Sequence, residues 1–158
     1  MNYFTGAYSC EGRPLINELA GDAINVLEEW RIGKGGHSPL GGLSPLEGAT
    51  DYEAAKEAIA RMEGLQLCGG VYYVGGRPVA YALGEEIKED TFVLHFAKAV
   101  SGYKGLMQFV IQSFSTLLPK KYTYINMEQD LGNEGLRKFK ESYRPAGFIK
   151  KCRVMPAR

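Results

Sequence analysis

The stretch Tyr122–Pro145, YTYINMEQDLGNEGLRKFKESYRP, decides how the rest of the chain is read. Tyr122, Tyr124 and Met127 surround the β-branched Thr123 and Ile125, a composition suited to a pleated, half-buried strand. Asp, Gly and Asn within Glu128–Asn133 then make a turn. Leu136, Phe139 and Tyr143 follow at i, i+3 and i+7, the apolar stripe of a helix whose other face is basic. Asn126, Glu128, Gln129 and Asp130 thus gather where a strand ends and a helix N-terminus opens. Ligands collect at such places in open α/β sheets, because helix amides and strand carboxyl ends converge there.

Working upstream, Tyr103–Leu118 has helical spacing, with Tyr103, Leu106, Met107, Val110, Ile111, Phe114, Leu117 and Leu118 inward and Pro119 as its stop. Before it come three strands, Gln66–Val74, Arg77–Glu85 and Thr91–Lys98. Gly75-Gly76 is a two-residue hairpin signal between the first two, and Glu86–Asp90 is a polar turn into the third. Thr50-Asp51-Tyr52-Glu53 has the capping-box pattern, opening a helix with Tyr52, Ala55, Ala58, Ile59 and Met62 inward and Gly64 at its end. Gly33–Gly48 holds six glycines and two prolines, a loop of a length usually kept for function; His37 lies in it. Ile16, Leu19, Ala20, Ala23, Leu27 and Trp30 mark a helix over Pro14–Arg31, with Trp30 as a core anchor, and Tyr3–Ser9 is a short aromatic first strand. Downstream, Ala146–Met155 makes the last, edge strand. The order is β-α-α-β-β-β-α-β-α-β, an α+β arrangement with a mixed, mostly antiparallel sheet in one domain over 1–158.

The bulk composition narrows the function. The chain has 158 residues, 45% hydrophobic and 23% charged, the profile of a globular protein. No apolar run reaches the length of a membrane span, and the N-terminus has neither the basic nor the apolar region of a secretion signal, so a cytoplasmic protein is expected. Cys10, Cys68 and Cys152 lack C-x-x-C spacing, which argues for buried reduced thiols and against a disulfide framework or a metal site. A net charge of +1 argues against a general nucleic-acid binder. The charge is uneven: Glu134–Arg158 holds eight Lys/Arg against two Asp/Glu, a net +6 that leaves −5 on Met1–Asn133. That basic segment either faces a phosphate-bearing donor or is a solvated face with a lysine-guarded edge.

The wording YIN-x-E-x-DLG-x-EGLRK-x-K-x-SY-x-P resembles the phosphatidylglycerol lysyltransferase C-terminal family, and the likeness continues upstream through Gly69–Leu106. The resemblance implies a GNAT-like acyltransferase fold. It further implies that the strands flanking the crossover helix splay apart, that the acyl donor threads between them, and that backbone amides polarise its carbonyl. On this pattern the phosphate-loop equivalent is Val100–Met107, VSGYKGLM, with Gly102, Tyr103, Lys104 and Gly105 as binding candidates and Lys98 just before. Met107 stands where a small residue would let a pyrophosphate approach. His95 is a candidate base or amine-orienting group, on a strand whose Leu94 and Phe96 are expected to face away from it. The family pattern H-x-E-K-A has Ala97 in the carboxylate position, and Met127 replaces the basic residue after the asparagine.

Asn126, Glu128 and Asp130 are the candidates within the opening stretch. Glu128 is suited to take a proton or hold an ammonium group, while Asp130 either caps the turn or pairs with Arg137. Tyr143, in a Y-x-x-x-G-F ending resembling that of acetyltransferases, is a candidate proton donor to the leaving group. Three functions stay open at this point. One is an acyl- or aminoacyltransferase using aminoacyl-tRNA, with an amine or hydroxyl acceptor. The second is an acetyl-coenzyme A-dependent N-acetyltransferase. The third is a non-catalytic GNAT-like half that joins a second such domain or a homodimer partner.

Overall fold

A computed structural model describes residues 3–33 and 45–152, apart from the side chains of 45–50. His37, most of the glycine-rich stretch and the end of the expected last strand lie outside the described residues. The elements are α1 (Tyr3–Ala7), β1 (Cys10–Pro14), a 3-10 turn (Asn17–Leu19), α2 (Ala20–Gly33), α3 (Pro45–Ala60), β2 (Cys68–Val74), β3 (Arg77–Lys88), β4 (Thr91–Ala99), α4 (Leu106–Leu117), β5 (Tyr124–Asn126) and α5 (Glu134–Glu141).

The five strands form one sheet in sequence order, antiparallel from β1 to β4 and parallel between β4 and β5. Two helical layers cover it. On one face Phe4 of α1 stacks on Phe109 of α4, Tyr72 meets the same ring edge-on, and Phe92 packs on Phe114. On the other, the Tyr73 hydroxyl donates to Asp22 of α2 at 2.6 Å, and Lys98 reaches Asp51 of α3. Tyr72, Tyr81, Phe4, Phe92 and Leu27 are the largest fully buried side chains, so the meander and the helices flanking it hold the core.

Several expectations change. Tyr3–Ala7 is helical rather than a strand, because Phe4 and Tyr8 are one turn apart and seat together against α4 and Tyr103. The first strand is the polar Cys10–Pro14, which the backbone pairing Cys10↔Val74 to Pro14↔Gly70 defines; Pro14 ends this edge strand, where a missing N–H is tolerated, instead of starting a helix. Residues 45–48, expected in the loop, begin α3, so Thr50 lies inside that helix and is not its cap. Leu117 is 69% exposed on the outer side of the last turn of α4. Among the described residues, 146–152 form no strand and are exposed, and no segment pairs with the outer edge of β5. Cys10 is half-buried with its thiol pushed up to about 11 by burial, but Cys68 and Cys152 are exposed, not buried.

Two irregularities position the site. The β3–β4 register passes from Leu83↔Phe96 to Gly84↔Leu94, which leaves His95 as the extra residue of a bulge. Leu94 and Phe96 therefore pair with adjacent β3 residues and do not share a face, contrary to simple alternation. Gly84 is required beside it: a Cβ there would lie 2.0 Å from the Val93 carbonyl oxygen. The second irregularity is the β4–β5 ladder, which runs only through Thr91↔Tyr124, Phe92↔Ile125 and Val93↔Asn126. β4 continues to Ala99 while β5 stops.

Candidate functional site

Where the parallel ladder ends, the bulge turns His95 toward two carboxylates. Its Nδ1 lies 3.2 Å from Glu128 Oε1 and its Nε2 lies 2.9 Å from Glu85 Oε1. The three side chains are 27%, 37% and 43% exposed, so the group is in reach of solvent and of a ligand. A carboxylate only accepts, so both contacts are hydrogen bonds only when both ring nitrogens carry protons. A neutral ring donates to one glutamate and leaves the other free to take a proton. The arrangement can therefore collect a proton at Glu128 and share it through imidazole with Glu85.

Glu128 is held by a tightly wound loop. The Asn126 Oδ1 accepts from the Glu128 amide at 2.8 Å, and Glu128 and Leu131 take left-handed φ values of 57° and 51°. Asp130 accepts from the Gly132 amide at 2.8 Å and from Arg137 Nε at 2.6 Å; the guanidinium, then the amide, hold its carboxyl at about 2. Both roles foreseen for Asp130 are thus present in its turn and its Arg137 pair, while the cap of α5 is Asn133, whose side chain accepts from the Leu136 amide. Lys140 closes the loop from the far end of α5, donating to the carbonyls of Met127 at 2.5 Å and Gln129 at 2.8 Å. Burial draws its ammonium below the ordinary value, opposed by Glu128 and Asp130.

The remaining sequence candidates make contacts of their own. Lys98 is buried, its ammonium 2.5 Å from Asp51 and 4.2 Å above the centre of the Trp30 ring. Burial lowers its proton affinity and Asp51 restores part of it. Opposite Lys98 in the register, Tyr81 is fully buried with a hydroxyl that has no partner among the described residues. In the turn before α4, Gly102 and Gly105 adopt φ of 94° and 83°, which suits glycine. Lys104 lies over the Tyr3 ring and Tyr103 stacks edge-on with Tyr8, so both side chains engage the N-terminal segment. Tyr143 packs on Phe139 with its hydroxyl buried and unpartnered among the described residues, pushed up to about 12 by burial. Among the described residues no cluster of His, Cys, Asp and Glu could hold a metal ion, and no helix is long and apolar enough to cross a membrane.

Glu85 was not foreseen, because it ends an ordinary strand pattern and reaches His95 only through the bulge. Lys140 lay within the recognised wording but carried no local signal, since a lysine on a basic helix face is usually solvated.

The profile of the phosphatidylglycerol lysyltransferase C-terminal family matches residues 1–154. The chain belongs to this family. A conserved protein of unknown function from Bacteroides thetaiotaomicron has a similar structure, with 32% identity, a TM-score of 0.81 and 92% of this chain covered. This family member spans 48% of that protein's length. The fold is shared with a ribosomal-protein-alanine N-acetyltransferase from Brucella melitensis at 11% identity and a TM-score of 0.64, covering 94% of this chain and all of that one. It is also shared with the PaiA N-acetyltransferase from Thermoplasma acidophilum in complex with coenzyme A, at 16% identity and a TM-score of 0.53, covering 86% and 87% of the two chains. The GNAT-like α+β fold expected from the sequence is thereby established. No curated protein matches the chain.

Proposed function

We propose that this family member transfers an activated acyl or aminoacyl group to an amine or hydroxyl acceptor, with Glu128 as the proton acceptor. The observation that supports this most is the early end of the β4–β5 ladder, with the Glu128–His95–Glu85 chain beside the part of β4 that β5 does not pair. The acceptor nitrogen or oxygen bonds to the donor carbonyl carbon, whose oxygen takes the developing charge and is stabilised by β4 amides. The acceptor proton passes to Glu128 and is shared with His95. The bond from the carbonyl carbon to the donor's oxygen or sulfur then breaks, and the departing atom takes up the proton held by the His95–Glu128 pair.

An aminoacyl ester on a tRNA end is the donor that fits the family, and the basic C-terminal segment suits its phosphates. Lys98 is taken up by Asp51 and Trp30, which favours Gly102 and Gly105, rather than Lys98, as donor contacts. Coenzyme A is the second reading, because the Thermoplasma neighbour holds it. The deciding experiment supplies lysyl-tRNA and acetyl-coenzyme A in parallel and measures label transfer to amine and hydroxyl acceptors, with thermal midpoints alongside. Transfer from the aminoacyl ester, lost in Glu128→Gln, is the expected result. Turnover from neither donor, with the fold intact, would replace the proposal by a binding half that works with a second domain.

A further inference from the structure

We infer that Lys140 is a positioning residue that sets the direction of the Glu128 carboxylate. The inference rests on the reading that Glu128 receives the acceptor proton. Lys140 stands in the last turn of α5, where a lysine ordinarily serves the helix's own terminal carbonyls or solvent. Its side chain instead runs back to the loop before the helix. Nζ lies 2.5 Å from the Met127 carbonyl oxygen, 2.8 Å from that of Gln129 and 3.4 Å from that of Glu128. An ammonium has three donors, so three successive carbonyls match its capacity.

These three peptides bracket one residue. The Asn126 side chain fixes the Glu128 amide, and Lys140 fixes the carbonyls on both sides of it and the next. Glu128 is thereby kept in the left-handed region, which a non-glycine residue leaves readily when nothing holds it. With the main chain clamped, only side-chain torsions remain, and the carboxylate meets His95. Lys151 adds a hold on the same loop by donating to the Gln129 side chain at 2.6 Å. Removing Lys140 lets the loop relax and takes Glu128 away from the imidazole.

The test compares Lys140→Met, Lys140→Arg and Glu128→Gln in the whole chain. Ring ¹H–¹³C spectra are informative because the protein has only two histidines, and His37→Gln assigns the other. In Lys140→Met the His95 ring signals should move toward their positions in Glu128→Gln, and kcat should fall about 10²-fold, the scale of a misplaced catalytic group, with KM changed less than about threefold. Lys140→Arg, which keeps donors, should recover most of both. His95 signals that stay at wild-type positions in Lys140→Met would overturn the inference, as would an equal loss in the methionine and arginine variants. Should the methionine variant fail to fold, Lys140→Gln is read by the same spectra, with a partial displacement expected. Wild-type turnover in Glu128→Gln would end the acid–base role, while the ring spectra would still decide the positioning.

Discussion

Two polar clusters stand three residues apart on β4, and their surroundings make them opposites. Lys98 is 8% exposed and its charge is met from within the fold, by Asp51 of α3 and the Trp30 ring of α2. His95 stands in a bulge at the end of the parallel ladder, with a partly exposed glutamate on each ring nitrogen. A buried charge with its partner supplied ties helix to sheet and has little capacity left for a ligand. A half-open imidazole between two acceptors has a proton to move. Both residues are legible in the sequence as candidates, His95 for proton transfer and Lys98 for binding; only their neighbours show how differently they are placed.

The comparison can be broken most directly by Glu128→Gln. Turnover should fall about 10²- to 10⁴-fold, the range for loss of a general base. The thermal midpoint should stay within about 2 °C, since an exposed glutamate at this surface contributes little stability. Lys98→Met should do the reverse. Leaving Asp51 unpaired should cost about 3 kcal/mol in urea unfolding, the low end for a broken buried pair because Asp51 keeps 29% of its surface. Adding Asp51→Asn should return most of that loss. If Lys98→Met instead removed turnover at full stability, the two clusters would belong together.

Smaller effects sharpen the boundary of the open site. Tyr143→Phe removes a buried hydroxyl with no partner among the described residues, so stability should hold or rise by about 1 kcal/mol. A tenfold or greater fall in kcat, measured with a poor leaving group, would mark the hydroxyl as the proton donor. The smallest effect is expected for Asp130→Asn. The native carboxyl sits at about 2 against 3.8 for a free aspartate, so its stabilisation is complete above about pH 4 and fades as pH falls toward 2. The wild type should exceed Asp130→Asn in midpoint near neutrality, and the gap should close between pH 4 and pH 2.

Much of the fold was legible where local pattern and tertiary demand agree. The Gly75-Gly76 hairpin, the three-strand meander, the α4 stripe through Leu106, Val110, Ile111 and Phe114, and the strand–turn–helix of Tyr122–Pro145 all have strong period or turn chemistry. The N-terminus was misread because an aromatic run suits a strand and a one-turn helix equally well. Contact with Phe109 and Tyr103, far along the chain, decides between them. In the site, His95 and Glu128 were both legible as candidates, but their contact was not, since they stand 33 positions apart and an unforeseen bulge falls at His95.

The sequence by itself determined the GNAT-like α+β architecture, the family, and the loop that carries Glu128, because periodicity, glycines and a long ordered wording are properties of neighbouring residues. Tertiary structure alone decided that Lys98 is closed off, that Glu85 joins His95, and that Lys140 turns back on the loop before its helix. Those outcomes depend on where a bulge falls and where a ladder stops. Both are set by the fit of main chain against main chain, as at Gly84 against Val93, and a list of side chains does not contain that fit.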